Sequence, residues 1–178
     1  IVLPEGEDKR VVMAAAELAR RDLCHVTILG KPDGVKELAA KHQADVSGCE
    51  IIHPPDAPDY DELVAKLVEL RGAKGMTEEK ARDLIAGDFN WYGTMRMAVN
   101  TIDGMVSGAC HTTADTMRPA LQVIKTAPGF SLVSSVFFML LPHQVFVYGD
   151  CAINVDPNPA QLAEIAATSA VTAKSFGL

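Results

Sequence analysis

The 178-residue sequence lacks an excess of basic side chains: 16 Lys and Arg stand against 23 Asp and Glu, a net charge of −7. Nucleic acids and anionic membrane surfaces select a basic patch, so neither is expected as a partner. A small anionic ligand is not excluded, because a few local cations and backbone donors outweigh a distant net charge. Cysteine is sparse: Cys24, Cys49, Cys110 and Cys151 are widely scattered, with no CxxC pair and no His at zinc-site spacing. That pattern argues against a structural zinc, or any other metal site, and against a disulfide framework, and it points to a reducing, cytoplasmic compartment. No signal peptide or targeting stretch is present. The longest apolar run, SLVSSVFFMLLP at 131–142, is too short to span a bilayer as a helix. Phosphate-binding motifs are absent as well. The first strand runs into PEGED instead of GxGxxG, no GxxxxGK[ST] occurs, and no GxSxG elbow marks an α/β-hydrolase.

What is present is an alternation of strands and helices. Ile1–Leu3 reads as a buried strand, followed by a helix capped by Asp8 with Val11, Val12, Ala15, Leu18 and Ala19 on one face. HVTILG and CEIIH are further strands, with a helix from Pro32 between them. After the loop PPDAPD come helices over 61–75, 77–87 and 90–102, the last weakened by Gly93. DGMVSG at 103–108 reads as a strand. Pro119 is tolerated in a first turn, which places Asp115 near the N-cap of the next helix. From about Gly129 the pattern changes to two consecutive β-rich segments around Pro142–His143, a hairpin, and then a helix capped at Asn158. The chain therefore reads as α/β with a mainly parallel sheet, one domain over 1–128 and the beginning of another over 129–178. Both ends read as cuts through a larger protein.

The stretch GMVSGACHTTADTMRP (104–119) carries the most chemistry. A strand end leads into a helix N-terminus, the place where ligands sit in open α/β sheets. The loop 108–114 then offers free N–H groups and a positive dipole end. Thr112, Thr113 and Thr116 add hydroxyl donors, and Arg118 adds a planar fork matched to phosphate or carboxylate. A structural reading stands beside it, since Ser, Thr and Asp also gather before helices for capping alone. His111 reads as a loop histidine and not as part of a Ser107–His111–Asp115 triad, because triads are defined in space. Arg71 and Lys125 sit at helix ends, where cations favour the dipole. Cys110, His143, Asp150 and Asn154 each have an ordinary structural explanation.

Taken together, LPEGED with Arg10, LRGAKGMTEEKARDLI, DGMVSGACHTTADTMRPALQVIKTAPG, SSVFFMLLP and YGDCAINVDPNPAQLAEIAATSA make the chain resemble the phosphate acetyl/butyryl transferase family. The match runs from first residue to last but covers little more than half of a complete catalytic unit. The resemblance implies two α/β domains of the isocitrate and isopropylmalate dehydrogenase-like type, three-layered, around a cleft. It implies reversible acetyl transfer between acetyl phosphate and coenzyme A, with CoA a substrate and no bound cofactor, in a homodimer. It assigns Ser107, Gly108, Thr112, Thr113, Thr116 and Arg118 to the phosphate end, and Arg71 and Lys125 to coenzyme A or substrate. The family's Asp general base, with its neighbouring Ser and Arg, has no counterpart among residues 1–178. Phosphate butyryltransferases and the acyl-CoA-sensing domain of some malic enzymes are the alternatives within the resemblance. A decarboxylating dehydrogenase would need acidic metal ligands and a nucleotide loop, and neither is found.

Overall fold

The structure, a computed structural model, describes residues 1–178, which divide into two compact units, Ile1–Lys125 and Thr126–Leu178. In the first unit, β1 (Val2–Leu3), α1 (Lys9–Arg20), β2 (Thr27–Leu29), α2 (Pro32–Lys41) and β3 (Glu50–Ile52) form a parallel sheet of order β1-β2-β3. Helices α3 (Tyr60–Arg71), α4 (Glu78–Gly87), α5 (Phe89–Ala98) and α6 (Thr113–Val123) complete the unit.

The helices cover both faces of the sheet because its strands are apolar on both sides. Leu3 and Ile28 are register partners and share one face, packing with Val12 and Ala15 of α1 and Val35 and Ala39 of α2. Val2 and Leu29 face the opposite way and join Leu63 and Leu67 of α3, Ile85 of α4, and Trp91, Tyr92 and Met95 of α5. Each fully buried Leu or Met contributes about 1.5–3 kcal/mol relative to exposure. Two polar ties fix this second layer: the Tyr92 hydroxyl donates to Asp59 Oδ1 at 2.6 Å, and Arg96 approaches Asp59 Oδ2 at 3.4 Å.

The segment 103–108 is not the regular strand its sequence suggests. Only Met105 bridges to Val2, in parallel, through Val2 N–H to Gly104 C=O at 2.9 Å and Val106 N–H to Val2 C=O at 3.0 Å. Pairing stops there because the chain turns away at Ser107–Gly108 into a loop held by side chains. Gly93, which lowers helix propensity, has a packing reason: a Cβ there would stand 2.5 Å from Met105 Sδ and 3.3 Å from Val2 Cγ1. Its absence lets α5 lie directly against β1 and its edge segment.

In the second unit, β4 (Val136–Leu141) and β5 (Gln144–Gly149) form the expected hairpin, with Leu141 opposite Gln144 across the Pro142–His143 turn. Helix α7 (Pro159–Ser175) starts at a reciprocal capping box between Asn158 and Gln161. Phe138 packs on Phe176 with ring centroids 4.7 Å apart, and Ile165 is the unit's fully buried side chain. Asp150 organises its loop by accepting from the N–H groups of Ser135, Ala152 and Asn154 and from the Asn154 amide. Burial opposes charge on Asp150, but these donors and the Ser135 hydroxyl hold its carboxyl far below the usual range. No helix is long and apolar enough to cross a membrane.

Candidate functional site

The site is built where β1 and its edge segment end together. Beyond β1 the chain places Glu5, Asp8 and Arg10; beyond Met105 it places Ser107 to His111. Glu5 is 5% exposed, and its carboxylate lies inside the turn made by the second loop. Oε2 accepts from the N–H groups of Gly108 (3.1 Å) and Ala109 (2.8 Å), and Oε1 from those of Cys110 (2.7 Å) and His111 (3.1 Å). His111 Nδ1 adds a contact at 2.8 Å. Burial alone would raise the Glu5 pKa, but the surrounding N–H groups outweigh it and hold the carboxyl below its usual value. Successive N–H groups converging in this way form an anion nest, here filled by the protein's own carboxylate.

Asp8 and Arg10 close the same junction. Arg10 Nε and Nη2 pair with Asp8 at 2.9 and 2.7 Å, and Nη2 also donates to Ala109 C=O at 2.6 Å. Arg10 and the Cys110 thiol hold Asp8 well below the ordinary carboxyl range. The same hydrogen bond, with some desolvation, pushes the Cys110 thiol up, away from the thiolate form that a nucleophile needs.

Two expectations about the loop change. The N–H groups at 108–111 are not free for a ligand, because Glu5 engages them. The N-cap of α6 is Thr112 and not Asp115: Thr112 Oγ1 accepts from Asp115 N–H at 3.2 Å and donates to Asp115 Oδ2 at 2.6 Å. Pro119 therefore sits inside the helix, where it removes only the bond to Asp115 C=O, one turn back. Gly108 adopts φ +109°, a conformation that L side chains rarely adopt.

The remaining predicted residues fall as follows. Ser107 Oγ donates to Oδ1 of the fully buried Asn90 at 2.6 Å. Thr113 opens α6 and is exposed; its N–H and that of Ala114 precede the first intrahelical bond. Thr116 Oγ1 is buried without a partner. Arg118 is 57% exposed, with Nη2 3.5 Å from Asp115 Oδ1. Arg71 Nη2 donates to Gln122 at 3.0 Å, its Nε is buried without a partner, and it pairs with no carboxylate. Gln122 lies one turn beyond Arg118 in α6, so the fold ties Arg71, from a distant part of the sequence, to the helix that carries Arg118. Lys125 follows α6 in the left-handed region at φ +66° and is exposed.

A cavity of about 350 Å3 opens beside the Glu5 junction, lined by residues that include Glu7, Asp8, Asp88, Phe89, Cys110 and His111. Asp88 caps α5 by accepting from Asn90 N–H at 2.9 Å, and its Oδ1 is 4.0 Å from His111 Nε2. Glu5, Asp88, Asn90 and the cavity-facing role of His111 escape sequence reasoning. Only the acidic cluster in PEGED and the capping Asp88 leave a trace there, and neither reveals burial. No group of three His, Cys, Asp or Glu side chains is placed to hold a metal ion.

Comparison with known proteins agrees in every direction. The profile of the family described as "Phosphate acetyl/butaryl transferase" matches residues 1–178. The phosphate acetyltransferase of Salmonella typhimurium is 53% identical over 179 residues, spanning 100% of this chain and 25% of that protein. A phosphotransacetylase structure from Streptococcus pyogenes superposes with a TM-score of 0.94 at 45% identity, covering 100% of this chain and 54% of that one. The EutD phosphotransacetylase from Staphylococcus aureus gives 0.90 at 46%, covering 99% and 53%. The chain thus spans from about a quarter to about half the length of the relatives it matches.

Proposed function

The chain belongs to the phosphate acetyl/butaryl transferase family, and from that premise we propose that the whole protein transfers acetyl reversibly between acetyl phosphate and coenzyme A. The observation that carries this reading is the likeness to phosphate acetyltransferases over every residue of the chain. The geometry supports it. The open N–H groups of Thr113 and Ala114 at the start of α6, the partnerless hydroxyl of Thr116, Arg118, and Arg71 bonded to Gln122 of the same helix supply donors and cations fit for a phosphate-bearing substrate. Ser107, bonded to Asn90, and Gly108, bonded to Glu5, belong to the same phosphate end, and Lys125, just after α6, belongs to the coenzyme A or substrate end.

In the reaction, the CoA thiol loses its proton to a carboxylate outside these residues. The thiolate attacks the acetyl carbonyl carbon, the bond from that carbon to the phosphate oxygen breaks, and phosphate leaves. The protein's share is to position both substrates and to stabilise negative charge on the carbonyl and the departing phosphate. The same reading carries a dehydrogenase-like two-domain architecture, small-molecule substrates, no cofactor, a cytoplasmic location and a homodimer.

The test is thioester formation from acetyl phosphate and CoA by the full-length protein. Arg118→Ala removes a charge-assisted contact and lowers kcat/KM for acetyl phosphate at least roughly ten-fold. Lys66→Ala, which removes only a surface pair with Glu69, leaves the rate at the wild-type level. Wild-type rates in both variants would remove the anion site; no thioester from the wild-type protein would remove the function.

A further inference from the structure

His111 is fixed in a way that its proposed neighbours do not explain. Its backbone N–H and its Nδ1 both point at Glu5 Oε1, at 3.1 and 2.8 Å. An ionised carboxylate only accepts, so Nδ1 carries a proton; in the neutral ring Nε2 then presents a lone pair. His111 lines the 350 Å3 cavity, with its Nε2 4.0 Å from Oδ1 of Asp88, another lining residue, and with Glu7 and Asp8 on the same walls. Asp8 is paired with Arg10, and Glu5 is saturated by five N–H contacts. The remaining polar side chains of the lining are acceptors, His111 through Nε2, Asp88, which also caps α5, and Glu7, beside the apolar side chains of Leu29, Pro4 and Phe89.

Such a wall repels phosphate and suits a slender ligand that donates hydrogen bonds. We propose that His111 Nε2 accepts a hydrogen bond from the amide- and thiol-bearing arm of coenzyme A, and that Glu5 is the positioning residue that aims it. This rests on the acetyl-transfer reading above and assigns the two ends of the site: the phosphate substrate to α6, the donor arm of CoA to the cavity. Glu5 acts twice, because the same carboxylate that orients the ring also occupies the nest at 108–111. It thereby leaves the phosphate end to Thr113, Ala114 and Arg118.

Two amide substitutions in the full-length protein separate the ring's nitrogens. His111→Asn places an N–H where Nδ1 was, retaining the Glu5 contact, and leaves nothing at Nε2. His111→Gln reaches the Nε2 position and abandons Glu5. The expected result is that Asn keeps the wild-type thermal midpoint but raises KM for CoA roughly ten-fold with KM for acetyl phosphate unchanged, the loss of one hydrogen bond. Gln shows the smaller change in KM for CoA and the larger loss of thermal stability. Wild-type KM for CoA in His111→Asn, or equal rises in both substrates' KM, would overturn the proposal. Should His111→Asn fail to fold, Gln decides: a rise in KM for CoA alone, from an acceptor that Glu5 no longer aims, supports it, and an unchanged CoA KM or a rise matched by acetyl phosphate overturns it. If the wild-type protein makes no acetyl-CoA, the functional premise fails instead, and a fluorescence titration with CoA alone still compares the two variants.

Discussion

Glu5 is the residue on which most of the site depends. One buried carboxylate satisfies four backbone N–H groups and an imidazole that would otherwise face each other across an unstable turn. Glu5→Gln keeps the shape but sets an amide N–H against two of these donors, at a cost of about 2–3 kcal/mol at neutral pH. The pH dependence follows from the direction of its shift. Its folded-state pKa lies below the ordinary glutamate value, so the ionised form binds more tightly in the fold. The stabilisation is complete above the ordinary glutamate range and drains away as pH falls through the lower folded value. Urea unfolding of wild-type and Glu5→Gln full-length protein should show a gap at pH 7 that narrows progressively as pH falls below the ordinary glutamate value. A gap independent of pH would mean that charge on Glu5 is immaterial.

At the scale of elements, α6 is the helix that carries the proposed phosphate end, and its start is set by Thr112. The cap lies between the Glu5-held loop and the helix, so each holds the other in place. Thr112→Ala removes the acceptor for Asp115 N–H and costs about 1 kcal/mol. Hydrogen exchange at residues 113–118 should accelerate in that variant, while exchange in α2, which packs in the cluster on the other face of the sheet, stays as it was. Unchanged exchange across 113–118 would show that tertiary packing alone holds the helix start. The interior Pro119 makes this cap matter more, because the helix already lacks one bond at Asp115 C=O.

For the whole molecule, the two units differ in how completely they are built. The first buries two full clusters on either side of its sheet, whereas the second fully buries only Ile165 and leaves Phe137, Leu140, Tyr148 and Phe176 more than half exposed. A two-stranded hairpin with one helix is marginal by itself. The 178-residue chain alone should form no measurable acetyl-CoA under conditions where the full-length protein turns over rapidly. Robust turnover by the chain would place every catalytic group within residues 1–178 and overturn the assignment of the base to a carboxylate elsewhere.

The sequence by itself determined the alternation of strands and helices, the hairpin and the capping of α7, because apolar periodicity and turn residues act over a few positions. It also singled out 104–119 through residue types that anion sites and helix caps share. It did not show that Glu5 fills the nest at 108–111, that Thr112 caps the helix, or that Arg71 meets Gln122 of α6. Those depend on the tertiary structure, which brings positions about a hundred and about fifty residues apart within hydrogen-bond reach. Capping and anion binding use the same donors and the same side chains. Which of the two a given N–H serves is decided only when the fold fixes which acceptor arrives first.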